Sequence, residues 1–336
     1  MKNNIHFLRT LGIYGIYQHA LTHYPLLTSK LGIPESVFKN PMNLIPVSEV
    51  SQWYVNLAKE TQDPDIILKL APLVDIERIG PLSHWFFSGH DLASTIRRVN
   101  MGLHCLQSGA YLSGAQVGPL IKWSYDNPSY SDKGKVHDSI RVVIFMMKIL
   151  RRYLGDNFSP ARVLVAGRRE NSKLYVDYFG CNVEWGQPRT EIWLKADLRL
   201  STNQYPSPIK GKLAMNFSDL DDYLNMPDPN DEYKVIYEAI NYSRHFGLPT
   251  LAKVSSLLNL SEQQFQRRLH KLGVNFSTVM GYVLSNTAVE LLRHLVPLDE
   301  VSNRLGYTNI ASFNRMFKKH RGLTPKQYIE RFRLNG

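Results

Sequence analysis

The stretches Phe265-Gln266-Arg267-Arg268-Leu269 and Phe313-Asn314-Arg315-Met316-Phe317 follow one pattern. Each contains an aromatic residue, an amide, an arginine, a long side chain and a large apolar residue. The apolar positions upstream repeat as well, because Leu251 and Val254 precede the first stretch much as Leu298 and Val301 precede the second. A repeat of this size predicts that one supersecondary element occurs twice.

The residues around the first stretch predict a helix-turn-helix unit at about residues 250–272. Pro249-Thr250 opens a short helix, Asn259-Leu260 makes a tight turn, and Ser261 caps the next helix. Gln264 follows Ser261 by three residues and completes a capping box. A short helix, a tight turn and a second helix with a polar outer face are typical of the helix-turn-helix motif.

The second stretch predicts a matching unit at about residues 298–320. A helix from Leu298 to Leu305 leads into a turn at Gly306-Tyr307, and either Thr308 or Asn309 caps the helix that follows. Between the units, Ser277 to His294 predicts a connecting helix that is roughly 27 Å long. Such a helix could hold two recognition helices about one DNA turn apart, near 34 Å, so that one chain reads two successive major grooves.

The outward faces of the two recognition helices supply the candidate DNA-binding residues. Glutamine and asparagine side chains pair with adenine, arginine pairs with guanine, and small apolar groups touch thymine methyl groups. The alternative is a solvated helix face, but the first helix carries a single outward acid, Glu262, beside several amides and cations. The candidates are Gln263, Gln264, Gln266, Arg267 and His270 in the first unit, and Ile310, Ala311, Asn314, Arg315, Lys318 and Lys319 in the second.

The charge distribution favours a polyanionic partner for the same region. The 336 residues carry a formal net charge of +11. From residue 231 to 336 there are 15 Lys and Arg against 8 Asp and Glu, a net charge of +7, and the other 230 residues carry +4. Nucleic acid attracts such a basic surface. A solvated basic face without a partner is the alternative.

Composition further predicts a cytoplasmic protein. Cys105 and Cys181 have no metal-ligand spacing and suit a reducing compartment. The apolar run from Val142 to Met147 is too short to cross a bilayer, so we expect no membrane partner. His19 and His23 would share a helix face, but no further ligand lies near them in the sequence, and we expect neither a metal nor a cofactor.

The first 226 residues predict a mixed α+β domain. Asp91 caps a helix, a longer helix runs from Ser139 to Tyr153, and a strand spans residues 162–166. No sequence motif of a hydrolase, metalloprotease or nucleotide-binding enzyme is present, so we expect no catalytic residues. Residues 227–231 contain two prolines and several turn formers, which predicts a linker between domains 1–226 and 232–336.

Residues 233–333 resemble the AraC/XylS family of bacterial transcription regulators. The resemblance rests on the first helix-turn-helix, Leu251 through Leu269, and on Leu305-Gly306-Tyr307, Phe313 through Lys318, Gly322-Leu323-Thr324-Pro325 and Tyr328. It implies an all-α DNA-binding domain with two helix-turn-helix units joined by a long helix. Ser302 and Ile329 depart from the family pattern, which commonly has alanine and arginine at these positions.

The first 225 residues are similar, more weakly, to the sensor domain of one AraC subgroup. The resemblance implies that this domain binds a small-molecule effector and forms a homodimer, and that the regulator contacts RNA polymerase. Whether it is an activator or a repressor stays open. It identifies no effector and no effector-binding residues. A domain that only dimerises, without a ligand, is the alternative, and an enzyme fused to a DNA-binding domain is a second one.

Overall fold

The computed structural model describes residues 5–170, 173–202 and 215–334. The chain forms two compact units, with one boundary between Met226 and Pro227. Residues His6–Met226 form the N-terminal domain, and the chain from Pro227 onward forms the C-terminal domain. Within the described ranges no helix is both long and apolar enough to cross a membrane.

The N-terminal domain is an α+β domain, as the sequence predicts. Its main sheet has the strand order β3-β4-β7-β5-β6, in which only β5 and β6 run parallel, while β1 and β2 form a separate antiparallel pair. The elements are β1 Phe7–Arg9, α1 Leu11–His23, α2 Glu35–Phe38, β2 Leu44–Pro46, α3 Val47–Glu60, α4 Ile66–Leu70, α5 Pro81–Phe87, α6 Leu92–Leu106, β3 Tyr111–Val117, β4 Leu120–Asp126, α7 Asp132–Leu154, β5 Arg162–Ala166, α8 Lys173–Phe179, β6 Val183–Gln187, β7 Thr190–Lys195 and α9 Phe217–Leu224.

Helix α7 is the longest of the described helices and forms the centre of this domain. It packs against α3 and the sheet, and Val143, Met146, Met147 and Leu150 are fully buried. The sequence placed its start at Ser139, which is wrong by seven residues, because the helix begins at Asp132 and Ser131 caps it.

A glycine in the first turn of α7 explains why the sequence did not predict where this helix begins. Lys133-Gly134-Lys135 is polar and contains a poor helix former, which is typical of a loop. In the structure a side chain at Gly134 would collide with Ser51 on α3. The glycine therefore allows α3 and α7 to approach each other closely.

A buried arginine holds α9 against the rest of the N-terminal domain. Arg9 is only 3% exposed, and its guanidinium donates hydrogen bonds to the carbonyl oxygens of Cys105 at 2.6 Å, Met42 at 3.1 Å and Tyr223 at 3.1 Å. Burying a charged group is costly unless hydrogen bonds satisfy it. The backbone carbonyls of three distant segments provide that compensation for Arg9.

The C-terminal domain is entirely helical in its described residues and contains two helix-turn-helix units. This confirms the predicted fold class. The helices are α10 Glu232–Ser243, α11 Leu251–Leu257, α12 Glu262–Lys271, α13 Phe276–Arg293, α14 Leu298–Arg304, α15 Ile310–Arg321 and α16 Pro325–Leu334. The helices that the sequence predicted as recognition helices are α12 and α15, and α13 connects the two units.

Helix α13 contributes to the core of both units. At its start, Phe276 packs edge-to-face on Phe265 of α12, with ring centroids 6.1 Å apart. Toward its end, it joins α14 and α15 in one cluster of buried residues, which comprises Leu284, Ala288, Val289, Leu292, Val301, Leu305, Phe313 and Phe317. One rigid helix therefore links the cores on which both recognition helices rest.

Replacing Phe313 by alanine should lower the free energy of unfolding of the C-terminal domain by about 3–5 kcal/mol, because the ring is fully buried. Ile310→Ala on the same helix is the control, since Ile310 is 39% exposed and its loss should change stability by about 0.5 kcal/mol or less. Urea denaturation followed by far-UV circular dichroism measures both. Equal effects of the two substitutions would contradict the assigned core.

Candidate nucleic-acid interface

A complete capping box starts the first recognition helix. The Ser261 hydroxyl oxygen accepts a hydrogen bond from the Gln264 backbone N–H at 3.2 Å, and Gln264 Oε1 accepts one from the Ser261 backbone N–H at 2.9 Å. The side-chain amide oxygen of Gln264 is therefore engaged in capping the helix. Among the candidate residues, Gln264 has a structural contact that competes with binding to a base.

The outer face of α12 is polar and accessible. Gln263, Gln266, Arg267 and His270 are all exposed, and the described residues offer none of these side chains a hydrogen-bond or ion-pair partner. Arg268 points elsewhere and pairs with Glu232 of α10 at 3.5 Å. Since the neighbouring Arg268 is engaged in this ion pair, Arg267 is the arginine of the two that remains available on the outer face.

The second recognition helix is capped by Asn309, which decides between the two caps that the sequence allowed. Asn309 Oδ1 accepts a hydrogen bond from the Ala311 backbone N–H at 2.7 Å. Arg315 is exposed and donates to the Ser312 hydroxyl at 3.0 Å. The other candidates that this helix exposes are Ile310, Ala311, Lys318 and Lys319.

Asn314 differs from the other candidates on α15. The residue is half-buried, and its Oδ1 atom is shielded from solvent without a hydrogen-bond partner among the described residues. Bidentate recognition of adenine needs both the oxygen and the nitrogen of an amide. In this conformation the Oδ1 atom of Asn314 is not available for such a contact, although the sequence predicted an outward residue.

A groove joins residues of both units on one surface of the C-terminal domain. It has a volume of about 580 Å³, and α12 contributes Gln266 and His270 to it while α15 contributes Lys319. The start of α13 completes the lining with Asn275, Phe276, Ser277 and Thr278. Three candidate residues, Gln266 and His270 of the first unit and Lys319 of the second, therefore line the same groove.

The start of α13 is a part of this surface that the sequence analysis did not identify. The helix begins at Phe276, and Asn275 Oδ1 accepts a hydrogen bond from the Thr278 backbone N–H at 2.9 Å. Asparagine is among the residues preferred at a helix N-cap, so Asn275 is the signal that would have indicated this cap. Exposed N–H groups at a helix start favour anions such as phosphate.

Ser261→Ala should destabilise the C-terminal domain by about 0.5–2 kcal/mol, because it removes the cap of α12. Ser256→Ala is a matched control, since this serine is exposed and its hydroxyl makes no hydrogen bond with the described residues. Urea denaturation of both variants measures the difference. Equal stability of the two variants would show that the capping contact contributes nothing.

Known proteins resemble both domains of this chain. A family model described as the N-terminal arabinose-binding domain of AraC transcription regulators matches residues 25–202, and a helix-turn-helix domain model matches residues 254–331. The HTH-type transcriptional regulator Rv1395 of Mycobacterium tuberculosis is 36% identical over 84 residues, which are 25% of this chain and 24% of that protein. The HTH-type transcriptional activator CsvR of Escherichia coli is 34% identical over 85 residues, or 25% of this chain and 32% of its own length.

These matches with individual proteins cover about a quarter to a third of the relatives' length. Among solved structures, the transcriptional regulator CdpR from Pseudomonas aeruginosa aligns over 94% of this chain and 98% of its own, with 16% identity and a TM-score of 0.42. The N-terminal family model alone spans more than half of the 336 residues, and the helix-turn-helix model matches the region that contains both recognition helices. The chain therefore belongs to the AraC family of transcription regulators.

Proposed function

We propose that the regulator reads two adjacent major grooves on one face of its operator, one with each recognition helix. The observation that carries the proposal is the pair of capped helices α12 and α15, whose candidate residues Gln266, His270 and Lys319 border one groove. The net charge of +7 in residues 231–336 adds the attraction that phosphates require. If these helix faces were only solvated, neither a groove lined by residues of both units nor the low number of Asp and Glu residues would be required.

The length of α13 restricts how the two helices can meet DNA. Its 18 residues span about 27 Å, whereas successive major grooves on one face are about 34 Å apart. A rigid connection that does not match straight DNA favours a bent operator, because bending brings the grooves toward the protein. The shape of the operator would then contribute to specificity beside the base contacts.

The candidate residues take different roles in this proposal. Arg267 reads a guanine in the first groove, and the neighbouring amides Gln263 and Gln266 read adenines, while His270 lies at the groove shared with α15. The second unit contributes less base recognition, since Ile310 and Ala311 are apolar and Asn314 is half-buried. Its remaining candidates are Arg315, which can reach a base, and Lys318 and Lys319, which suit phosphates.

We further propose that the N-terminal domain binds a small-molecule effector and forms a homodimer. An effector changes DNA binding only if it prefers one arrangement of the protein over another. An open cleft of about 790 Å³ in the N-terminal domain favours effector binding over a role in dimerisation alone. Because CsvR is named an activator, contact with RNA polymerase in the cytoplasm is part of the proposal.

Arg267→Ala should weaken operator binding by about 1–3 kcal/mol and relax specificity at one base position, because a bidentate guanine contact is lost. Binding to a panel of operators with single base changes measures this effect. Lys326→Ala is the control, since Lys326 is exposed on α16, outside both recognition helices. An equal loss of affinity for every sequence would assign Arg267 to a phosphate instead.

Lys318→Ala should weaken binding to all sequences alike and reduce the slope of log affinity against log salt by about one unit. The physical reason is that each lysine bound to a phosphate displaces about one counterion from the DNA backbone, and the variant has lost one such lysine. Fluorescence anisotropy titrations at several salt concentrations provide the slope. If the slope stays at the wild-type value, Lys318 does not contact a phosphate.

A further inference from the structure

The cleft of about 790 Å³ lies where four elements of the N-terminal domain meet. Gly167, Arg168 and Arg169 follow the carboxyl end of β5, and Gly186 and Gln187 end the parallel strand β6, which Pro188 follows. The first turns of α7 and part of α3 close the cleft, with Asp132, Lys133, Lys135, Val136 and His137 on α7 and Val55, Ala58 and Lys59 on α3. The ends of parallel strands beside a helix start are a common place for ligands.

The lining of the cleft is strongly basic. Five of its residues are lysines or arginines, and Asp132 is the single carboxylate among those that the structure describes there. Lys135 pairs with Asp126 at 3.7 Å. The other four cations have no carboxylate within ion-pair distance in the described parts of the chain; they are Lys59, Lys133, Arg168 and Arg169. A concave surface lined by one sign of charge concentrates ions of the opposite sign.

Arg169 is held in place by an uncharged partner. Its Nη2 lies 3.0 Å from Nε2 of His137, which is buried. Burial and the neighbouring Arg169 lower the pKa of His137 to about 4, so the imidazole is neutral at pH 7 and accepts this hydrogen bond. Arg169 Nε is shielded from solvent and has no acceptor in the described residues. An anion oxygen would satisfy this donor, and carboxylates and phosphates fit arginine well.

Two glycines keep the mouth of the cleft in this shape. Gly167 has φ +94°, and a side chain there would come within 2.7 Å of the Val136 Cβ, so the chain after β5 can lie directly on α7. Gly186 has φ +73° at the irregular end of β6, and its N–H donates to the Gly167 carbonyl at 2.8 Å. The Arg168 side chain passes over Gly186, where an added Cβ would lie 3.8 Å from Arg168 Cγ. Backbone geometry thus places the two adjacent arginines at the cleft.

We propose that this cleft is the effector site and that its ligand is a small, polar anion that carries a carboxylate or a phosphate group. The inference rests on the proposed sensing function of the N-terminal domain. Arg169 and Arg168 hold the anionic group, and Lys133 and Lys59 add charge at the rim. The apolar part of the lining, which includes Val55, Ala58 and Val136, contacts the remainder of the molecule.

Isothermal titration calorimetry on the full-length protein tests the site. The probes are inorganic phosphate, glucose 6-phosphate, citrate and, as a neutral control, glucose. At least one anion should bind saturably and glucose should not. Preference for glucose 6-phosphate or inorganic phosphate would assign a phosphate group to the ligand, and preference for citrate a carboxylate.

The double variant Lys133→Gln/Arg168→Gln should weaken binding of that anion at least tenfold. Both side chains are exposed and have no hydrogen bond or ion pair with the described residues, so the domain should still fold, which thermal unfolding verifies. The control Arg97→Gln/Lys195→Gln removes the same charge from exposed positions outside the cleft and should bind like the wild type. No saturable binding of any anion, or equal binding by both double variants, would overturn the proposal.

A parallel measurement of operator affinity separates this proposal from the proposed effector control. If an anion binds the cleft but leaves operator affinity unchanged, the site stands and the control of DNA binding by an effector fails. If glucose changes operator affinity while no anion binds, effector control stands and the anion site is wrong.

Discussion

The central constraint in the C-terminal domain is that one helix, α13, belongs to two cores at once. Phe276 at its start packs on Phe265, and Leu284 and Leu292 pack with Phe313 in the second unit. Each recognition helix is oriented by a phenylalanine buried at the equivalent position of its repeat. Because α13 is rigid over about 27 Å, the spacing of the two recognition helices is fixed before DNA is bound.

The helix-turn-helix units could be predicted from sequence because their determinants are local. A serine cap with Gln264 three residues later and a phenylalanine on each inner face specify the helices without distant contacts. The start of α7 could not be predicted, because the need for a glycine at position 134 arises from its contact with α3. The burial of Arg9 could not be predicted either, because its hydrogen-bond acceptors are carbonyl groups far along the chain. The half-buried position of Asn314 likewise depends on packing that periodicity does not show.

The two domains use positive charge in different ways. In the DNA-binding domain it lies on exposed helix faces, where a long polyanion can approach and where salt screens it. In the N-terminal domain it is gathered in a concave site, where Arg169 is held by a neutral His137 and is partly removed from water. The first arrangement suits an extended polyanion and the second a small one.

The central claim is that one chain reads two successive major grooves through its paired recognition helices. Selection of bound duplexes from a random DNA pool by the full-length protein, saturated with any anion found to bind it, tests this claim most directly. The account predicts an enriched motif with two blocks of conserved bases about one helical turn apart, near 10 base pairs, with the stronger block under α12. Arg267→Ala should relax that stronger block alone. Enrichment of a single block, with no second block at that spacing, would contradict the account.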